Sequence, residues 1–221
     1  MLIKGPKRSD GKREIVIVDT LGNPGIAAQV INTLRQTKDA SGEPILPQGK
    51  LPIRAIIYTH NHIDHTFGVW GYLLEADKPP CKPEDPTKPG ADGYYDVDAQ
   101  NPDCVTIIGQ YKINEGVGTT AFVTGTIIDA RSSYMYGNFL RNYREGGNQV
   151  NDGIGPQEYG FSKKVTIPGG DEKTVHIQGS YRMPSRTFNE ELYITAAGVQ
   201  MKIIYVPSER MMSWQSSCGT S

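Results

Sequence analysis

Four side chains of the kinds that bind divalent metals fall within six residues: His60, His62, Asp64 and His65, in the run YTHNHIDH over residues 58–65. Zinc takes imidazole nitrogen and carboxylate oxygen, and a catalytic zinc site keeps one coordination position open for water. Along an extended strand end, residues i and i+2 share a face. That alternation predicts His60, His62 and Asp64 on one side, with His65 turned in by the start of a helix. A loop of this type can serve two adjacent ions, one on the paired histidines and one on Asp64 and His65. Water between two such ions loses a proton near neutral pH and becomes a nucleophile, so the implied chemistry is metal-dependent hydrolysis with Asp64 at its centre. The alternative is a set of ordinary surface histidines in a polar loop. The fourth histidine, His176, alternates within KTVHIQG and is expected to face solvent or a packing neighbour.

The cluster needs a rigid approach. Residues Ile53 to Tyr58 (IRAIIY) are nearly all apolar, as in a strand buried on both faces of a layered sheet. From Asp64 to Glu75 (DHTFGVWGYLLE) the spacing turns helical. The cluster therefore belongs on a loop between a central strand and a helix, where open α/β sheets place their ligands. Upstream, Arg13 to Asp19 (REIVIVD) predicts a strand, Thr20 to Pro24 a turn, and Gly25 to Gln36 a helix. Residues 78–104 are crowded with Pro, Gly, Asp and Lys and read as a surface insertion. Val105 to Gly109 is a short strand, Tyr111 to Phe139 holds helices, and Glu145 to Gly160 is a Gly-rich loop. Three later runs, KKVTI, KTVHIQG and MKIIYV, predict antiparallel strands, with PGGD as a turn between the first two. One α/β domain over residues 1–221 accounts for all of this.

Composition narrows the partners. With 23 Lys and Arg against 24 Asp and Glu, no global field draws the chain to nucleic acid or an anionic membrane. There is no apolar run long enough to span a bilayer, and the polar, basic first residues lack the apolar stretch of a secretory signal, so the default expectation is a cytoplasmic chain. Cys81, Cys104 and Cys218 are odd in number and show no C-x-x-C spacing. Free thiols are expected, with Cys81 and Cys104 pairing across a loop as the alternative.

The segment IIYTHNHIDHTFGVWG closely resembles the metal-binding segment of the metallo-β-lactamase superfamily, specifically the alkyl sulfatase branch with its Y-T-H-S/N-H-x-D-H pattern. Ile3-Lys4-Gly5 and the strand to Asp19, then RSSYMYGNFL, then NDGIGPQEYG, then Val206-Pro207-Ser208-Glu209 are similar to further segments of that branch, in the same order. The resemblance implies an αββα sandwich and a zinc-dependent hydrolase of alkyl sulfate esters, with two Zn2+ ions. Other members of the superfamily cleave lactones, thioesters or phosphodiesters, and a metal-binding chain without activity is the remaining alternative. By position, His60, His62 and Glu209 would hold one zinc and Asp64 and His65 the other. Asp19 resembles the aspartate that supports the metal loop by hydrogen bonding, a helix-leading cap being its other reading. Arg131, Tyr134, Tyr136 and Asn138 fall in the segment near the substrate mouth, where arginine and amide donors suit a sulfate ester. Packing is the alternative role for the two tyrosines.

The chain also departs from the branch. Thr66-Phe67-Gly68 keeps one glycine of the D-H-x-G-G turn, and RMMSWQSSCGTS after Glu209 lacks the expected later glutamate and histidine. The resemblance thus implies an incomplete sandwich, truncated at both ends, with a weakly held second metal. It further implies a homodimer in the family whose dimerising segment is not in this sequence.

Overall fold

A computed structural model describes residues 1–136, 161–166, 172–177, 179–206 and 213–215. Its first sheet is built where β-branched residues run consecutively. Strands β1 (Leu2–Lys4), β2 (Ile15–Val18), β3 (Ile53–Ile57), β5 (Thr106–Gln110) and β8 (Arg186–Phe188) lie side by side in that order. β1 is antiparallel to β2, and β2, β3, β5 and β8 are parallel. Every residue of β2, β3 and β5 is buried, which explains why these runs show no alternation. Helix α1 (Pro24–Gln36) covers this sheet with Ala27 and Ile31. It starts one residue before the predicted Gly25, because the Asn23 side chain accepts from the Gly25 N–H at 2.6 Å and Pro24 needs no partner at the first helical position.

The second sheet has the order β11 (Ser213–Gln215), β10 (Val199–Ile204), β9 (Glu191–Ala196), β4 (Gly93–Asp96). β9 and β10 form a hairpin turned by Ala197 at φ 55° and Gly198 at φ 69°, the two positive values a two-residue turn needs. Leu192, Ile194 and Ala196 alternate inward and share one core with Ile56, Ile107 and Phe188 of the first sheet. A separate antiparallel pair joins β6 (Phe161–Thr166) and β7 (Glu172–Ile177), as the KKVTI and KTVHIQG runs predict. The PGGD turn lies outside the described residues. Mixed sheets with flanking helices give the α/β class expected. Among the described residues no helix is long and apolar enough to cross a membrane.

Two expectations are corrected. Cys81 and Cys104 are joined as a disulfide, not free, because their Cα atoms lie 5.0 Å apart at the two ends of the excursion that leaves and rejoins the sheet at β5. Residues 78–104 are also more than a surface insertion: they contain β4 and helix α4 (Val97–Gln100), and Val97 is fully buried. The segment is knitted to β8 by Ala91 N–H to Thr187 O (3.1 Å) and by Glu84, which accepts from both the N–H and the hydroxyl of Thr187. Asp98 ties the two sheets together. It accepts from Arg54 Nε of β3 at 3.3 Å and from the Ala197 and Gly198 amides of the β9–β10 turn at 2.9 and 2.8 Å.

A disulfide closing a loop with this 23-residue separation restricts the unfolded chain by about 3 kcal/mol. Cys81→Ser is therefore expected to lower the thermal midpoint by roughly 10 °C, and reductant is expected to do the same to the parent chain and nothing further to the variant.

Candidate metal centre

Parallel pairing of β2 with β3 brings the ends of both strands together, so Asp19 and Thr59 become neighbours although forty residues separate them. Below them Tyr58 is fully buried, its hydroxyl donating to the Arg182 carbonyl at 3.1 Å and its ring 5.6 Å from Tyr181. Asp19 sits at φ 61° and Leu21 at φ 66°, conformations that side-chain-bearing residues adopt at a cost of about 1–3 kcal/mol each and that concentrate at functional sites. The bent loop between them clasps His65. Thr20 gives both its N–H (2.8 Å) and its hydroxyl (3.0 Å) to the His65 carbonyl, and Leu21 accepts from the Gly68 N–H at 2.6 Å.

The three imidazole rings are near neighbours. The His60 ring centre is 4.7 Å from that of His62 and 3.9 Å from that of His65. Hydrogen counting then fixes the tautomer of His60. The Thr59 hydroxyl lies 2.9 and 2.8 Å from the two Asp19 oxygens, which only accept, so its single hydrogen is spent there. The His60 Nδ1, 2.9 Å from the same hydroxyl, must donate to it. His60 Nε2 is left with a bare lone pair, and that atom is buried without a hydrogen-bond partner. Burial, reinforced by the charges of His65 and His62, lowers the pKa of His60 to about 4, so its ring is neutral at pH 7. A neutral imidazole with its outer nitrogen oriented by a carboxylate through a hydroxyl is the form in which histidine binds metal.

Asp64 is delivered differently from the expected extended alternation. β3 ends at Ile57, the chain bends at His60 and Asn61, His62 is extended (ψ 147°), and α2 (Ile63–Thr66) begins at once, so Asp64 is on a helical turn. His65 Nδ1 lies 2.8 Å from Asp19 Oδ2 and Nε2 lies 3.2 Å from Asp64 Oδ2. Both partners are acceptors only, so the ring is doubly protonated. Burial alone would lower its pKa, but the hydrogen bonds to Asp19 and Asp64 outweigh it and raise the value to about 9. Burial would likewise raise the pKa of Asp64, yet the hydrogen bond and charge of His65 hold it below the usual carboxylate value. The atoms that would bind a second ion thus share a proton, and an ion entering there must displace it. Accordingly, among the described residues no three His, Cys, Asp or Glu side chains are arranged around one point as a ready ligand set. The donor chemistry of His60 fits zinc; the Asp64–His65 pair fits it after losing a proton.

These opposed shifts predict the pH response of the metal-free chain. His65, raised above its ordinary 6.5, adds stability that is complete below pH 6.5 and lost as pH climbs through 9. His60, depressed to about 4, resists protonation in the fold, so stability also falls as pH drops from 6.5 toward 4. The melting temperature in chelator is expected to peak near pH 6.5 and to fall on both sides; a monotonic rise to pH 9 would contradict the assignment.

Arg131 and Tyr134 are exposed on α6 (Gly125–Tyr136), whose last described residue is Tyr136. Asn138 and Glu209 lie outside the described residues. Asp19 does not cap α1, a task Asn23 performs; its carboxylate serves Thr59 and His65. Thr59 and Thr20 escaped the sequence reading. The signal for Thr59 was its place immediately before the first histidine at the end of a buried strand, whereas nothing local marks Thr20. Beside Asp64 and His65 opens a cavity of about 540 Å3 whose apolar wall includes Leu2, Ile17, Leu21, Val30 and Leu34.

The family model for the metallo-beta-lactamase superfamily matches residues 8–128. Among curated proteins, a linear primary-alkylsulfatase from a Pseudomonas strain is 26% identical over 195 residues, covering 88% of this chain and 27% of that protein. A linear primary-alkylsulfatase of Pseudomonas sp. is 33% identical over 106 residues, or 48% of this chain and 12% of the relative. The alkyl/aryl-sulfatase BDS1 of Saccharomyces cerevisiae is 28% identical over 146 residues, or 66% and 17%. The chain thus spans little more than a quarter of the length of the first of these relatives and less of the other two.

Proposed function

Because this chain belongs to the metallo-β-lactamase superfamily, we propose that it carries the metal loop of a zinc-dependent hydrolase acting on alkyl sulfate esters. The observation that carries the reading is the buried, partnerless Nε2 of His60, oriented by Asp19 through Thr59 and flanked by the rings of His62 and His65. An orphaned lone pair in a buried place costs about 1–3 kcal/mol, and a cation removes that cost. Zinc bound there supplies Lewis acidity and brings the acidity of water to near neutrality. His60 and His62 supply imidazole nitrogens. His65 stores a proton at Nε2 against Asp64, next to the reacting region, and Asp19 keeps that ring in place. The apolar cavity beginning at Asp64 and His65 supports an ester with a hydrocarbon tail, as do the sulfatase relatives. Arg131 supplies the charge for a sulfate head group.

Release of inorganic sulfate from a linear alkyl sulfate by the zinc-loaded chain tests the reading, and dialysis against chelator is expected to stop it. Zinc uptake with no sulfate release, alongside cleavage of a lactone, thioester or phosphodiester, would move the chain to another ester. Zinc uptake with no turnover of any of them would reduce it to a metal-binding chain.

A further inference from the structure

Asn61 lies between the first two imidazoles and is 7% exposed. Its Nδ2 donates to the Thr120 hydroxyl at 2.9 Å. A Cβ built on Gly116 would stand 2.9 Å from both Asn61 Cβ and Cγ, so the helix backbone approaches this side chain as closely as a glycine allows. Gly116 belongs to α5 (Ile113–Gly118), and Thr120 belongs to a π-helical turn, Thr119–Val123, closed by the Thr124 N–H to Thr119 O at 2.9 Å. Such turns are rare and recur at functional sites. The helix behind the clasp is itself fixed: Ile113 and Val117 are buried, and Asn114 accepts from the Tyr181 hydroxyl at 2.7 Å.

We propose that Asn61 is a positioning residue whose clasp by Gly116 and Thr120 holds the main chain between His60 and His62 so that their rings stay adjacent. The metal loop is then gripped on both flanks, by Asp19 and Thr20 from the β2 side and by the π turn from the other. The consequence for zinc rests on the proposed function; the clasp itself is a property of the metal-free chain.

Thr120→Val tests it without touching the loop sequence, since the side chains are close in size and only the acceptor is lost. In the metal-free full chain, amide exchange over residues 60–65 is expected to quicken about tenfold while residues 53–58 are unchanged. Zinc affinity is expected to fall about tenfold, with the metal-free melting temperature lowered by only a few degrees and an altered cobalt(II) absorption spectrum, and Thr120→Ser is expected to restore affinity and spectrum. Gly116→Ala, pressing on Asn61 from the helix side, should reproduce the exchange and affinity changes. Unchanged exchange over 60–65 in Thr120→Val overturns the proposal, and so does an equal quickening over 53–58, which would make the contact general support. Failure of the parent chain to bind zinc would sink the hydrolase reading alone, because the metal-free exchange still decides the clasp.

Discussion

His60→Ala is expected to abolish zinc-dependent sulfate release, by at least about a thousandfold or 4 kcal/mol of barrier, while the metal-free chain melts no lower than the parent. The two halves of that expectation have opposite causes. With zinc, His60 supplies the one lone pair that the fold has already dried, neutralised and aimed. Without zinc, the same nitrogen is a buried acceptor with no donor, a cost of about 1–3 kcal/mol that truncation removes and that offsets the packing lost with the ring. A residue kept for packing behaves otherwise, losing stability with or without metal. Thermal scans of both proteins in zinc and in chelator make the comparison. The parent should gain stability from zinc and the variant should not. An equal zinc-induced rise in the variant would show that the ion sits elsewhere.

Gly68→Ala is expected to be the most damaging small change near the site. An added Cβ would lie 2.0 Å from the Thr20 carbonyl oxygen and 2.8 Å from that of Leu21, both backbone atoms. Neither can swing aside as a side chain would. They belong to the loop already bent to positive φ at Asp19 and Leu21, and Leu21 O is the acceptor for the Gly68 N–H. Relief means pushing that loop outward, which also withdraws Thr20 from the His65 carbonyl and Asp19 from the His65 ring. A loss above about 4 kcal/mol and a drop of more than 10 °C in the melting midpoint follow, with zinc affinity falling in parallel. Gly118→Ala provides the contrast: a Cβ there meets nothing within 4 Å, so the change should be neutral or stabilising by up to about 1 kcal/mol. Equal melting of Gly68→Ala and the parent would refute the account.

Much of the frame was legible because it depends on nearest neighbours. Runs such as IVIV and IRAII read as buried strands, and the turn over Thr20 to Pro24 placed the start of α1 within one residue. The histidines were legible as a cluster because zinc ligands are few in kind and were close in sequence. What escaped was decided across the chain. The order of β2 beside β3 makes Asp19 the partner of Thr59, and no local pattern carries that. Cys81 meets Cys104 because β5 returns the chain to the point it left, whereas their spacing suggests no motif. β4 and α4 hide in a Pro-rich stretch because their stability comes from β9, Arg54 and Phe188, not from periodicity. Asp64 was assigned to the right cluster on the wrong geometry, since α2 starts one residue after His62.

The contact at Asp98 also decides where this molecule can give. Arg54 stands at the beginning of β3 and the histidines beyond its end, roughly 20 Å along the strand. At the Arg54 rim, sliding one sheet over the other would strip a buried guanidinium of Asp98 and of the Pro102 carbonyl, and the hairpin amides with it. That rim is laced shut. The contacts described at the opposite rim run from loop to loop, through Asp19, Thr20 and Asn61, so adjustment to an arriving molecule is cheapest where the imidazoles already stand.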